Sequence, residues 1–121
     1  MVFGIGNDIV EIKRIARAIE NEHFKKRVFT EKEIEILEKK GINKISSYAG
    51  RFAAKEAISK ALGTGVRDFK IVDIEILSTD LGKPVVFFHG SLKDKMDGKK
   101  IEISISHSKE YATAVAIIFN S

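Results

Sequence analysis

The sequence predicts an α+β fold, a mostly antiparallel sheet packed against a long central helix, in a single domain covering residues 1–121. Three observations carry that expectation. The hydrophobic residues of the first half recur at helical spacing, whereas those of the second half alternate at period two. An alanine-rich stretch running from Ser46 or Ser47 to Leu62 closes on Gly63-Thr64-Gly65, where glycine suits the left-handed end of a helix. Two apolar stretches near the C-terminus are joined by only Ser108-Lys109-Glu110-Tyr111, a link short enough to make them an antiparallel pair.

The elements follow in order. Val2, Phe3, Ile5, Ile9, Val10 and Ile12 have the β-branched and aromatic bias of a strand, and GIGNDIV, residues 4–10, reads as a buried one. Asp8 sits in its middle, and a carboxylate resists burial without a partner, so another part of the chain is expected to answer it. Lys13 to about Phe29 reads as one charged helical segment with Ile15, Ala18 and Ile19 inward. Thr30-Glu31-Lys32-Glu33 fits a capping box and starts a short helix ending near Gly41. After the long helix, Ile71 to Leu77, Val85 to Phe88, Ile101 to Ile105 and Ala112 to Phe119 read as strands, with Gly82-Lys83-Pro84 as a turn.

Composition bounds the function. The 121 residues are 44% hydrophobic and 31% charged, an ordinary globular balance without an apolar run long enough to span a bilayer. No secretory leader is apparent and there is no cysteine, so no membrane association and a cytoplasmic location are expected. The net charge of +4 favours an acidic partner. The basic residues are scattered among acidic ones, with no aromatic-rich segment of the kind that binds RNA, so nucleic acid is not expected as the partner.

The stretch RFAAKEAISKALGTG, residues 51–65, is the most informative. On a helix, Phe52, Glu56, Ser59, Lys60 and Gly63 share one face while Ala54, Ala57, Ile58 and Ala61 share the other. The small residues would seat the helix closely on a sheet and bring Glu56 toward Asp8, where two carboxylates could share a cation. Against this stands the ordinary reading of Glu56 and Lys60 as a surface ion pair at i, i+4, worth about 0.2–0.5 kcal/mol. Gly4-Ile5-Gly6 lacks the third glycine and following helix of a dinucleotide fingerprint. Zinc is disfavoured by the absence of cysteine and of a histidine pair at ligand spacing.

Taken together, Gly4-Ile5-Gly6-Asn7-Asp8-Ile9-Val10-Glu11, Arg14, Phe52-Ala53-Ala54-Lys55-Glu56-Ala57 and Lys60 resemble the two-part signature of phosphopantetheinyl transferases, with forty-three residues, 9–51, between the parts. Ala61-Leu62-Gly63-Thr64-Gly65, Gly82-Lys83-Pro84 and Ser104-Ile105-Ser106-His107-Ser108 extend the similarity toward the small, single-domain holo-acyl-carrier-protein synthases. The resemblance implies transfer of the 4′-phosphopantetheine arm of coenzyme A to a serine of an apo acyl carrier protein in fatty acid biosynthesis, releasing adenosine 3′,5′-bisphosphate. It implies Mg²⁺ on Asp8 and Glu56, with Lys60 compensating charge as the third member of the catalytic set. It further implies a coenzyme A site drawn from Arg51, Ser59, Lys60, Gly63, Gly65, Lys83, Pro84, Ser106, His107 and Ser108. Docking of an acidic carrier on Lys13, Arg14 and Arg17, and a homotrimer with shared active sites, are also implied. The proton acceptor stays open between Glu56 and a metal-ordered water. The alternative from composition alone is a non-catalytic basic module that binds an acidic protein or nucleic acid.

Overall fold

In the computed structural model, which describes residues 1–63 and 68–121, the N-terminal strand β1 (Val2–Glu11) runs directly into the helices α1 (Ile12–Ala18), α2 (Glu22–Val28) and α3 (Glu31–Glu38). A 3₁₀ turn (Gly41–Asn43) leads into the 19-residue helix α4 (Lys44–Leu62). Beyond it lie a second 3₁₀ turn (Ile71–Asp73), the strands β2 (Ile74–Ser78) and β3 (Pro84–Phe88), a short helix α5 (Ser91–Lys95), and the strands β4 (Lys99–His107) and β5 (Tyr111–Asn120). All described strand pairs are antiparallel, but they make two sheets: β1-β5-β4, and the hairpin β2-β3. The α+β expectation holds, as does the hairpin closed by the Ser108–Tyr111 link.

Two local expectations change. The segment read as one helix from Lys13 to Phe29 is two, because α1 stops at Ala18 and Asn21 caps α2, its side chain accepting from the Phe24 amide at 3.1 Å. An N-cap asparagine inside a periodic run redirects the chain while leaving the apolar spacing on either side intact. Helix α5 had no counterpart in the sequence reading: its five residues are too few to show a period. The Thr30 capping box is present in full, with the Thr30 amide donating to Glu33 at 2.8 Å and the Glu33 amide to the Thr30 hydroxyl at 3.2 Å.

The strand β1 is at the edge of its sheet, not buried within it. Alternation splits it into two faces. Gly4, Gly6, Asp8 and Val10 turn toward α4, whereas Ile5 and Ile9 are 66% and 61% exposed on the outer face. The glycines serve the helix. A Cβ on Gly4 would overlap the Ala61 carbonyl and one on Gly6 the Ala57 carbonyl, so α4 approaches β1 as closely as backbone permits. The core above this contact is formed by Ala53, Ala54, Ala57, Ile58 and Ala61 of α4 with Ala114, Ala116 and Ile118 of β5 and Ile74 and Ile76 of β2. Helix α4 is buried nearly all round, Arg51 and Lys55 included, because α1, α3, β1, β4 and β5 all pack on it.

Candidate active site

Asp8 is held between the edge strand and the C-terminal turns of α4. Register fixes it opposite Ala114 on β5, and its side chain is 17% exposed. Its direct partner is Lys60, whose ammonium donates to Asp8 Oδ1 at 3.1 Å and to the Asn7 carbonyl at 3.0 Å. Lys60 thus crosses to the strand instead of pairing with Glu56 one turn away, the geometry its spacing alone allowed.

Glu56 is half-buried, and among the described residues no side chain hydrogen-bonds or pairs with it. Burial raises the pKa of its carboxyl; the nearby charge of Asp8 raises it further, and Lys60 pulls the other way. The Asp8–Glu56–Lys60 set therefore holds two carboxylates that feel one another, with one cation attached to only the first. Such excess negative charge suits a cation. Among the described residues no group of three His, Cys, Asp or Glu side chains is placed to hold a metal ion. Two carboxylates with the remaining positions left to water or a phosphate fit a hard, oxygen-seeking ion such as Mg²⁺ and not a cysteine- or histidine-bound zinc.

Two cavities have Ser104 of β4 in common, and only the first is lined by Asp8 and Lys60. One, of about 510 Å³, is lined by Asn7, Asp8, Lys60, Ser104, Ser106 and Thr113 among others. The other, of about 360 Å³, is lined by Arg51, Gly82, Pro84, Ser104 and His107, and by Lys40, Ser46 and Ser47, which sequence reasoning passed over. The signal for the serines was there: Ser47 precedes Arg51 by one helical turn, on the same face of α4. Arg51 is buried; its guanidinium donates to the Ser78 hydroxyl at 2.7 Å. Burial lowers its pKa and the charge of Glu33 opposes this, but a guanidinium keeps its proton in either setting. The cavity thus has one fixed cation in its wall and one exposed lysine on its rim.

The other sequence-predicted residues stand around these cavities in varied settings. The Ser59 hydroxyl donates to the Lys55 carbonyl of its own helix at 2.9 Å. Gly63 caps α4 at φ 76°, its amide bonded to the Lys60 carbonyl at 3.1 Å. Lys83 belongs to the turn before β3, its amide donating to the Thr79 hydroxyl at 3.1 Å, and lines a separate cavity with Pro84. Ser108 closes the β4-β5 hairpin, accepting from the Tyr111 amide at 3.2 Å. Gly65 lies outside the described residues. On the far side of β1, Arg14 lines an apolar cleft of about 370 Å³ with Ile9, Ile15, Phe24, Phe52 and Tyr111, and Lys13 and Arg17 are exposed on α1.

A family profile described as the 4′-phosphopantetheinyl transferase superfamily matches residues 4–116, which includes both carboxylates, Lys60 and both cavities. The chain belongs to this superfamily. Similar curated proteins carry the name holo-[acyl-carrier-protein] synthase. That of Fusobacterium nucleatum is 56% identical, the match covering 98% of this chain and 99% of the relative, and that of Clostridium tetani is 54% identical over 98% and 96%. Among solved structures, the Bacillus anthracis holo-(acyl-carrier-protein) synthase, described in complex with CoA (3′,5′-ADP), is 39% identical with a TM-score of 0.83, covering 100% of this chain and 99% of that one. The Neisseria meningitidis enzyme is 34% identical with a TM-score of 0.87, covering 98% and 99%. Within the matched span, Asp8 on β1 and Glu56 and Lys60 on α4 come together at the β1–α4 contact.

Proposed function

We propose that this chain is a holo-acyl-carrier-protein synthase: it transfers 4′-phosphopantetheine from coenzyme A to a serine of an apo acyl carrier protein and serves fatty acid biosynthesis in the cytoplasm. The observation that carries the reading is the convergence of Asp8, Glu56 and Lys60, with a cavity lined by Asp8 and Lys60, in a chain 56% identical to a protein of that name. The serine oxygen bonds to the β-phosphorus of coenzyme A, the pyrophosphate P–O bond breaks, and adenosine 3′,5′-bisphosphate leaves. A non-catalytic basic module would have no use for a half-buried carboxylate pair beside a lysine, and that alternative is not favoured.

Asp8 and Glu56 would hold Mg²⁺, which supplies charge neutralisation on the pyrophosphate as its bond to the arm breaks. Lys60 lies at the mouth of the Asp8 cavity and presents its ammonium to the same phosphates. Arg51 and His107 line the neighbouring cavity and receive the phosphates of the nucleotide half, with Lys40 as a third cation. Ser106 and Pro84 line these cavities directly, while Gly63, Ser59, Lys83 and Ser108 set the backbone around them. The serine proton passes to the carboxylate pair, directly or through a water.

An acidic carrier docks on α1, where Arg14 stands beside an apolar cleft and Lys13 and Arg17 add exposed charge. The chain assembles as a homotrimer through the outer face of the β1-β5-β4 sheet. Ile5 and Ile9 are exposed there, an apolar face that a monomer leaves in water. Ser104, Ser106 and Thr113 open the Asp8 cavity onto that face, so a neighbouring subunit would complete it.

The deciding experiment incubates the protein with coenzyme A, Mg²⁺ and an apo acyl carrier protein. Mass spectrometry should find the phosphopantetheine arm on the carrier and adenosine 3′,5′-bisphosphate in solution. A folded protein that leaves the carrier unmodified would overturn the proposal.

A further inference from the structure

Lys55 is the strangest charge in the molecule. It is wholly buried, as is Glu33, and their ion pair closes at 2.7 Å. The ammonium also donates to the Val28 carbonyl at the end of α2, at 2.6 Å, and lies 5.1 Å from the centre of the Phe29 ring. Glu33 in turn accepts from the Ile76 amide of β2 at 2.9 Å and from the Thr30 amide. Thr30 continues the chain of bonds to Glu75 at 2.5 Å, and Glu75 to His89 at 3.0 Å. Through Glu33 the lysine thus ties α4 to the end of α2, the start of α3 and strand β2, and the chain of bonds ends on His89, just past β3.

A buried ion pair is weak evidence for stability, since desolvating two charges offsets much of their attraction. What it does supply is a single geometry, because its hydrogen bonds are lost together when either partner shifts. Helix α4 needs such a device. On its other side it meets β1 through Ala57 and Ala61 against Gly6 and Gly4, an interface of backbone and methyl groups. That contact fixes distance, but small side chains interlock little and leave sliding and rotation along the strand weakly resisted. Glu56 and Lys60 follow Lys55 on the same helix and must stop at Asp8.

We propose that Lys55 is a positioning residue for the transfer reaction: tied to Val28 and Glu33, it sets the register of α4 on β1 and so holds Glu56 and Lys60 at Asp8. The inference rests on the transferase reading for its kinetic readout, and on the fold alone for its structural one.

The test pairs Lys55→Met with Glu33→Gln. The double variant removes the ion pair without leaving a lone buried charge, and the glutamine oxygen still accepts from one of the two amides, Thr30 or Ile76, that now bond Glu33. Leu92→Ala, a core cavity on α5 in the cluster that does not include Val28 or Phe29, serves as a control of similar stability loss. All proteins are measured at a temperature where circular dichroism finds them folded. Expected for the double variant is a tenfold or greater fall in kcat, with coenzyme A affinity by calorimetry and KM for the carrier within threefold of wild type. Amide resonances of Asn7 and Asp8 should shift while those of the β4-β5 link stay. Leu92→Ala should keep its kcat within twofold. Two kinetic results overturn the proposal: a double variant with wild-type kcat, or a control that loses as much. Should the wild type itself transfer nothing, the functional reading fails, and unmoved Asn7 and Asp8 resonances in the double variant would still refute the tether. If the double variant does not fold, Lys55→Met alone, in which Glu33 still accepts from the Thr30 and Ile76 amides, is held to the same criteria.

Discussion

On successive residues of α4, Lys55 and Glu56 meet opposite surroundings. Lys55 is fully buried and its ammonium is answered by a carboxylate and a carbonyl within 2.7 Å. Glu56 is only half-buried, yet no hydrogen bond or ion pair from a described residue reaches it, and burial, reinforced by the charge of Asp8, pushes its carboxyl toward the protonated form. The protein has therefore satisfied the charge that water cannot reach and left exposed a charge that it does not satisfy. Burial without partners is costly, so a closed network is structural by necessity; an open one beside a cavity has capacity left for a ligand.

Neutralising the open side should give the largest effect. Glu56→Gln keeps the shape and is expected to lower the transfer rate roughly 10²–10³-fold, about 3–4 kcal/mol of lost transition-state stabilisation. Its stability should move the other way. A carboxyl whose pKa is raised on folding favours the native state below the ordinary glutamate range and loses that contribution as pH rises through the raised value. At pH 7 Glu56 is thus a liability to the fold, and Glu56→Gln should melt no lower than wild type in thermal scans. A lower melting temperature would mean that Glu56 is as structural as its neighbour.

Next comes the close contact that holds the two sides together. Gly6→Ala sets a methyl group into the Ala57 carbonyl and should cost about 3 kcal/mol in urea denaturation, at the upper end of overpacking, because the helix backbone cannot retreat from a methyl. Lys60→Met should be milder, a fall of about tenfold or ~1.4 kcal/mol in kcat/KM for coenzyme A, since Lys60 is 57% exposed and water screens part of its charge. The smallest effect belongs to a closed network at the surface. Hydrogen bonds from Lys25 and Tyr48 draw the Glu38 pKa down to about 2. That stabilisation is present above the ordinary value of 4.5 and lost as pH falls toward 2. Glu38→Gln should cost roughly 1 kcal/mol or less at pH 7, given the solvent around it. The deficit should vanish in thermal scans run between pH 4.5 and 2.

Local signals were read well wherever chemistry within a few residues decides the outcome. The Thr30 capping box, the Gly63 end of α4 and the tight β4-β5 link all follow from bonds spanning three or four positions. The break at Asn21 and the helix α5 escaped, the first because periodicity ignores a cap, the second because five residues carry no period. Asp8, Glu56 and Lys60 were visible as a motif, but their pairing was not: spacing offers Glu56 to Lys60, and only the depth at which Gly4 and Gly6 admit the helix brings Lys60 to Asp8. The space beside those glycines is filled by the helix backbone.

Sequence by itself determined most of the element types, the antiparallel tail and the family, and it singled out the three residues proposed as the reactive centre, because each is written in neighbouring side chains or in motif spacing. Tertiary structure alone decided that β1 is an edge strand with an apolar outer face, that Lys55 is interior, and that Ser104 lines two cavities. Those outcomes depend on which distant segments share space. Charge, unlike hydrophobic period, carries no mark in the sequence of whether a partner will be there to meet it.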